Sequence, residues 1–379
     1  MIAFVMFACM MVIWILFSWN LRVYKPFSES PLQYSPKISV LIPCRDEAST
    51  IEENILSLLK QDYPHFEVIV LDDHSTDNTA AILKRLADKN RNLRFISGKD
   101  LPEGWQGKNH ACAQLAEAAE GEWLLFADAD TRHEPDMLRS AMQTLLEEKA
   151  DLLSTFPRQR FGSIGDELVV PLMFFILLSY LPMYFVSKRI WKGFGHFATA
   201  CGQFILVRKN IYEAVGGHAA LKNRISEGPL LASAVKKAGG KLILRDGSAK
   251  VSCAMYRGFR QAFRGFSRSV FASMGGSTAA VVFFLVFQTA VFILPFVYIA
   301  GGLFTGVWDD EARICLATVL IPVFMRFKIH TRIGMPLRTV VLHPFSILLY
   351  HWIMINSFVQ YRFLRRTSWK GRSYGNPQT

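Results

Sequence analysis

Residues 1–19 are apolar or small and carry no charge, a run about long enough to cross a bilayer core. From Lys37 the pattern changes to short apolar runs alternating with amphipathic stretches. Residues 38–42 read as a buried strand, and Pro43-Cys44-Arg45-Asp46-Glu47 as the loop leaving it. Ser49 and Thr50, each followed three residues later by an acid, carry a capping-box signature, and Ile51, Ile55, Leu58 and Leu59 then share a helix face that ends before Pro64. A strand over 66–71, a helix over about 79–89 and a strand over 93–96 complete a βαβαβ series. That order favours an α/β fold with a mostly parallel sheet and helices on both faces. The loop 98–107 leads to a helix opened by Lys108 and running to about 119, followed by an apolar run, 124–127, that stops abruptly at Asp128-Ala129-Asp130. Pro135 suits the first turn of a helix ending near Glu148, and 151–156 reads as another strand.

Residues 169–186 are apolar but interrupted by Pro171, Ser179 and Pro182, with Lys188, Arg189 and Lys192 following. A crossing there would split the α/β domain across the membrane, so the segment is expected to lie on the membrane surface or to contact an acceptor. A strand near 198–207, the turn Gly216-Gly217-His218 and a helix from about 227 to 238 return to the pattern of a soluble domain. Arg257, Arg260, Arg264 and Arg268 stack on one helical face, the expectation for an interfacial helix with an arginine or two reaching a diphosphate. Residues 279–302 predict a transmembrane helix, 313–327 are short for one, and 340–359 are long enough but carry His343, Pro344, His351 and Asn356. Basic residues flank this last segment on both sides, which leaves the number of crossings open. The expected organisation is an anchor (1–20), a cytoplasmic α/β domain (37–276), a C-terminal membrane region (277–361) and a basic tail (362–379), in a multi-pass protein of the cell membrane. Arg22 and Lys25, just past the first apolar run, set that orientation.

Composition sharpens the picture. A 379-residue chain that is 51% hydrophobic and 13% aromatic exceeds what a soluble domain needs and points to a membrane protein. Lys and Arg number 43 against 31 Asp and Glu, a net charge of +12. The chain shows no nucleic-acid-binding motif and its basic residues crowd beside apolar segments, so lipid and phosphate are the expected anionic partners. Six cysteines with no Cys-x-x-Cys pairing argue against a zinc site or a disulfide framework.

The chemistry lies at the strand ends. Arg45, Asp46, Glu47, Asp72 and Asp73 follow successive apolar strands, so a parallel sheet would bring them to one edge. Asp128 and Asp130 suit a divalent cation, although Asp-x-Asp by itself is also common in solvated turns. Gly107-Lys108 at a helix start could offer amides and an ammonium to a phosphate, without completing a Walker A pattern.

The ordered set Ile-Ser-Val-Leu-Ile-Pro-Cys-Arg-Asp-Glu (38–47), Asp-Asp-His-Ser-Thr-Asp (72–77), Gly-Lys-Asn-His-Ala (107–111), Asp-Ala-Asp (128–130) and Gly-Gly-His (216–218) resembles family-2 inverting glycosyltransferases of GT-A fold, over about 37–276. More narrowly, Trp105-Gln106-Gly107-Lys108-Asn109-His110-Ala111-Cys112 and Gly217-His218 with Ile225-Ser226-Glu227-Gly228 resemble the membrane-bound carotenoid-acid glycosyltransferases and their hopanoid-associated relatives. The resemblance implies that Pro43, Arg45 and Glu47 line a nucleotide pocket and that Asp72 or Asp73 bonds the uracil edge. It implies that Lys108 lies near the donor, that Asp128 approaches ribose and metal, and that Asp130 holds Mg²⁺ or Mn²⁺ against the diphosphate. The implied partners are a nucleotide-sugar donor, UDP-linked, and a lipid or terpenoid acceptor in the membrane.

Most of the family carry Glu-Asp where this chain has Glu227-Gly228, and the aspartate is usually the base. Three explanations stay open: Glu227 is the catalytic base, no strong base is needed, or activity is lost. An acceptor carboxylic acid, with a pKa near ~4, is already ionised at neutral pH and fits the second. The Gln-x-x-Arg-Trp motif of processive synthases is not seen, which favours single transfer. The expected activity is sugar transfer to a lipid, with a carotenoid carboxylic acid as one acceptor. The alternatives are a glycerolipid or polyprenyl phosphate acceptor and, from another class, a catalytically silent membrane scaffold.

Overall fold

The computed structural model describes the chain except residues 189–197, 225, 257, 365–366, 370–371 and 375–379. The expectations for Arg189, Lys192, Arg257, Arg365, Arg366 and Lys370 fall outside the described residues. Helix α1 (Ile2–Val23) leads into β1 (Ile38–Cys44), α2 (Ile51–Leu59), β2 (Phe66–Asp72), α3 (Thr79–Ala87), β3 (Leu93–Ser97), α4 (Gly107–Ala118) and β4 (Trp123–Ala127). The Asp128 turn joins β4 to β5 (Thr131–His133), followed by α5 (Met137–Glu148), β6 (Leu152–Ser154), β7 (Arg158–Gln159), α6 (Ile164–Tyr180) and α7 (Met183–Val186). Then come β8 (Phe204–Arg208), α8 (Lys209–Ala214), α9 (Glu227–Lys237), β9 (Leu242–Leu244), β10 (Val251–Cys253) and α10 (Phe259–Ser273). Helices α11 (Thr278–Gln288), α12 (Leu294–Thr305), α13 (Asp310–Ile333) and α14 (His343–Val359) close the chain before a short hairpin.

The main sheet has seven strands in the order β3-β2-β1-β4-β8-β6-β9, and β1 is flanked in parallel by β2 and β4. The sheet is mostly parallel, as expected, and strand β8 runs antiparallel to both β4 and β6. Strands β1 and β4 are buried at every position because helices cover both faces, so they read as continuous rather than alternating apolar runs. A second small sheet, β5-β10-β7, lies beyond the end of β4. The capping box at Ser49-Thr50 does not form. Thr50 is the N-cap of α2 without a side-chain cap bond, and its hydroxyl turns back to donate to Glu47.

One face of the sheet is covered by α2, α3 and α5, through Ile55, Leu83, Leu138 and Met142. The other face shares a continuous apolar core with the long helices, in which Leu41 of β1 and Phe126 of β4 join Phe17 of α1 and Phe175 of α6. Residues of α6 and α7 therefore lie inside the bundle, where α6 packs on α1, α10 and α14. Polar clamps fix the junction: Asn20 Nδ2 donates to the Leu178 and Leu181 carbonyls at 2.8 and 2.6 Å, and Arg332 Nε bonds Asp246 at 2.8 Å.

Two helical stretches, Ile2–Val23 and Thr278–Thr305, are long and apolar enough to cross a membrane, the second running through α11 and α12 with a π-turn between. Helix α13 is longer than the pattern 313–327 suggests, because Asp309 caps its start by accepting from the Ala312 amide at 2.8 Å and Gly334, at φ +71°, ends it.

Candidate active site

The site begins where β1 and β4 stop. Asp46 takes a left-handed backbone (φ 52°) immediately after β1, and its carboxylate accepts from the Thr76 amide at 2.7 Å, joining the loops that follow β1 and β2. Arg45 lies over this junction and donates through Nη1 to the Asp73 carbonyl at 2.5 Å. At the end of β4 the turn is held from behind by Asn54 of α2, whose amide donates to the Asp128 and Thr131 carbonyls at 3.2 and 2.8 Å. That leaves the Asp128 and Asp130 side chains facing forward.

They face a cleft of about 980 Å³. Pro43, Arg45, Glu47, Lys108, Asp128 and Asp130, all foreseen from the sequence, line it together. Asp72 and Asp73 lie just behind its lining. Asp72 is buried and accepts from the Ser75 amide at 3.3 Å, and Asp73 is buried with its carbonyl under Arg45. Sequence reasoning missed Gln203, Tyr256, Gln261 and Gln360 on the walls. Gln261 and Arg264 carry a Gln-x-x-Arg spacing with Gly265 next, and that spacing was the available signal. Gly265 is required because a Cβ there would overlap the Tyr256 ring. Arg264 and Arg268 face the cleft from α10, as the arginine register suggested, while Phe263 of the same helix packs on Trp352 at 4.6 Å between ring centroids.

Lys108 and Glu227 form the back of the site. The Lys108 ammonium bridges Asp128 Oδ1 at 2.8 Å and Glu227 Oε1 at 2.7 Å. Burial opposes the charge on Lys108, but the carboxylates of Asp128 and Glu227 outweigh it and hold the ammonium protonated well above the usual lysine range. Burial likewise pushes Glu227 upward, and Lys108 overcomes it, lowering that carboxyl to about 2. Glu227 is not on the cleft surface. It closes a void of about 10 Å³ together with Lys108, His218 and Gly202. The Gly216-Gly217-His218 turn builds this back wall: the His218 amide donates to Tyr212 Oη at 3.0 Å, a Cβ on Gly217 would strike the Tyr212 ring, and burial lowers the His218 imidazole to about 4 and keeps it neutral.

Whether a dication suits this site turns on Asp130. One of its carboxylate oxygens is buried without a hydrogen-bond partner. Burial first, then the Asp128 and Glu47 carboxylates, push its carboxyl up to about 7. An orphaned carboxylate oxygen beside two further acids is a hard-cation acceptor, so the residues fit Mg²⁺ or Mn²⁺. Among the described residues no three His, Cys, Asp or Glu side chains converge to hold a metal alone, so ligand oxygens would have to complete the shell.

A mostly parallel sheet interrupted by one antiparallel strand, with an Asp-x-Asp turn at the strand-end cleft, defines the GT-A glycosyltransferases. Residues 39–216 match the family described as "Glycosyl transferase family 2", and with the relatives that follow this makes the chain a glycosyltransferase. It is similar to the 4,4'-diaponeurosporenoate glycosyltransferase of Staphylococcus aureus strain USA300, at 27% identity over 365 residues, covering 89% of this chain and 88% of the relative. The same enzyme from the bovine strain RF122 matches at 27% over 367 residues, with the same coverages. In fold it is similar to a mannosyltransferase from Pyrobaculum calidifontis in complex with GDP-Man and Mn²⁺, at a TM-score of 0.57 and 19% identity, covering 96% of this chain and 99% of that one.

Proposed function

We propose that the protein transfers a sugar from a UDP-linked donor, with inversion, to a carotenoid-type carboxylic acid held in the membrane. The observation that carries this reading is the composition of the cleft. Asp128 and Asp130 share it with Arg45, Arg264 and Arg268, and the helix bearing the last two, α10, is packed through Phe263 onto the apolar bundle. A diphosphate fits between cationic walls and a carboxylate pair, and an apolar acceptor approaches from the bundle side. Pro43, Arg45 and Glu47 line the nucleoside end, with Asp72 or Asp73 available to the base edge. The similarity to a diaponeurosporenoate glycosyltransferase supports an acidic terpenoid acceptor.

Asp130 and Asp128 would hold Mg²⁺ or Mn²⁺, which when bound neutralises charge on the departing diphosphate. The chain's own groups do the rest. Arg264 and Arg268 hold the diphosphate from α10, and Tyr256, seated under Gly265, shapes the acceptor side. A carboxylate acceptor enters already ionised and needs no proton removed. The two long apolar stretches, 2–23 and 278–305, anchor the protein as a multi-pass membrane protein, with the catalytic domain on the cytoplasmic face.

The test is an assay of the full-length protein in detergent with labelled UDP-sugars, Mn²⁺ and three acceptors: an apocarotenoid acid, a diacylglycerol and a polyprenyl phosphate. Label is expected in an ester of the acid. Label only in the diacylglycerol or the polyprenyl phosphate would replace the acceptor with a glycerolipid or polyprenyl lipid, and no transfer from any UDP-sugar would sink the donor assignment.

A further inference from the structure

Glu227 is the acid that remains where the family resemblance puts a Glu-Asp pair with the aspartate as base, yet its surroundings suit another task. The carboxylate is on the far side of Lys108 from the cleft, in a void of about 10 Å³ that holds at most one water. Its nearest polar partner is the Lys108 ammonium, at 2.7 Å. Three backbone features press it there. Ser226 adopts the left-handed region at φ 66°, turning the chain so that α9 starts with Glu227 aimed at Lys108. Gly202 makes room for the bridge, since a Cβ there would lie 2.8 Å from Glu227 Oε1 and 3.3 Å from Lys108 Nζ. Gly228 brings α9 against the Ala200–Gly202 backbone, where a Cβ would lie 2.7 Å from the Ala200 carbonyl oxygen. An aspartate at 228 therefore has no room, which gives the glycine of the Glu-Gly pair a packing reason.

We infer that Glu227 is a positioning residue that shares the Lys108 ammonium with Asp128, leaving Asp128 the charge it needs toward a metal and diphosphate. The inference rests on the reading that Asp128 and Asp130 hold the dication. The two contacts are nearly equal, 2.8 and 2.7 Å, so the ammonium is divided between two carboxylates. With Glu227 neutral, that charge falls on Asp128 alone and competes with a cation for the same carboxylate. With both Glu227 and Lys108 neutral, Asp128 is released.

The experiment uses full-length protein in detergent and Mn²⁺ binding in the presence of UDP, followed by electron paramagnetic resonance without turnover. Glu227→Gln is expected to weaken Mn²⁺ on the order of tenfold, the size of effect one nearby opposite charge has on a carboxylate. Glu227→Asp, which keeps the charge, recovers most of that loss, and so does Lys108→Met combined with Glu227→Gln. In turnover with the acid acceptor, Glu227→Gln raises the KM for Mn²⁺ more than it lowers kcat, and the pH profile of kcat keeps its shape. Unchanged Mn²⁺ affinity in Glu227→Gln, with kcat down about 1,000-fold and one limb of the pH profile gone, makes Glu227 the base and overturns the inference. Asp130→Asn separates the two readings. If it loses Mn²⁺ while Glu227→Gln does not, only the inference fails. If Asp130→Asn binds Mn²⁺ as the natural chain does, the metal reading fails and takes the inference with it.

Discussion

Gly228→Ala tests the packing beneath the site. Replacing a helical glycine by alanine ordinarily stabilises by about 0.5–1 kcal/mol, because glycine has more backbone freedom to lose. At Gly228 the sign should reverse. The added Cβ would lie 2.7 Å from the Ala200 carbonyl oxygen and 3.1 Å from the Gly202 amide nitrogen, both backbone atoms that cannot rotate away. Overpacking of this kind costs about 1–3 kcal/mol, and less the gain in helix propensity the net loss is about 0–2.5 kcal/mol. The internal control is Gly301 in α12, where an added Cβ meets nothing within 4 Å, so Gly301→Ala should be neutral or slightly stabilising. Melting of the two variants in one detergent, followed by tryptophan fluorescence at a fixed scan rate, compares them directly. Gly228→Ala should melt a few degrees lower and also lose Mn²⁺ affinity, since moving α9 draws Glu227 away from Lys108. Equal melting of both variants with the natural chain would refute the reasoning, and Gly228→Asp retaining full stability would refute it more strongly.

Asp130→Asn should abolish metal-dependent transfer, by about 100-fold or more, with the fold intact by melting, because the orphaned oxygen loses its charge. Arg264→Gln removes a cation from the diphosphate wall and should raise the donor KM about tenfold or more, the size of one charge-assisted hydrogen bond, with less effect on the acceptor. Acid stability should depend on Asp77. Burial works upward on its carboxyl, but the Thr79 hydroxyl and the amides of Ala48 and Thr79 outweigh it and hold the pKa below its ordinary 3.8. A depressed folded-state pKa contributes stability that is whole above the ordinary value and is lost as pH falls through the folded one. Melting temperatures of Asp77→Asn should accordingly fall less steeply below about pH 4 than those of the natural chain; parallel curves would remove Asp77 from the acid limb.

The strands β1, β2 and β4 were legible because a strand buried on both faces must be a continuous apolar run, and its end is marked where charge begins, at Arg45, Asp72 and Asp128. The antiparallel β8 was not, because an apolar run does not reveal its direction. The Ser49-Thr50 signature misled because Glu47 competes for the Thr50 hydroxyl. Asp128 and Asp130 suited a cation by residue type, but a solvated turn fitted their spacing as well, and it was their place in the ordered set of strand-end motifs that favoured the cation. Glu227 could be placed in the site but not on a side of it, since only the tertiary structure puts Lys108 between it and the cleft. Gly228 stood out in the sequence as a departure from Glu-Asp, but its reason did not, because what it avoids is the backbone of a segment about 25 residues away, and Gly202, which leaves room for the Lys108 and Glu227 side chains, carried no signal.

The sequence by itself determined the class of fold, the strand-end acids and the apolar lengths at 2–23 and 278–305, since each follows from periodicity or from residue type at a strand end. The tertiary structure alone decided how charge is shared. A lysine between two carboxylates, and an aspartate whose carboxyl is pushed up by burial and by two further acids, depend on burial and on distances of a few ångströms between residues up to 119 positions apart, and local pattern does not encode such distances.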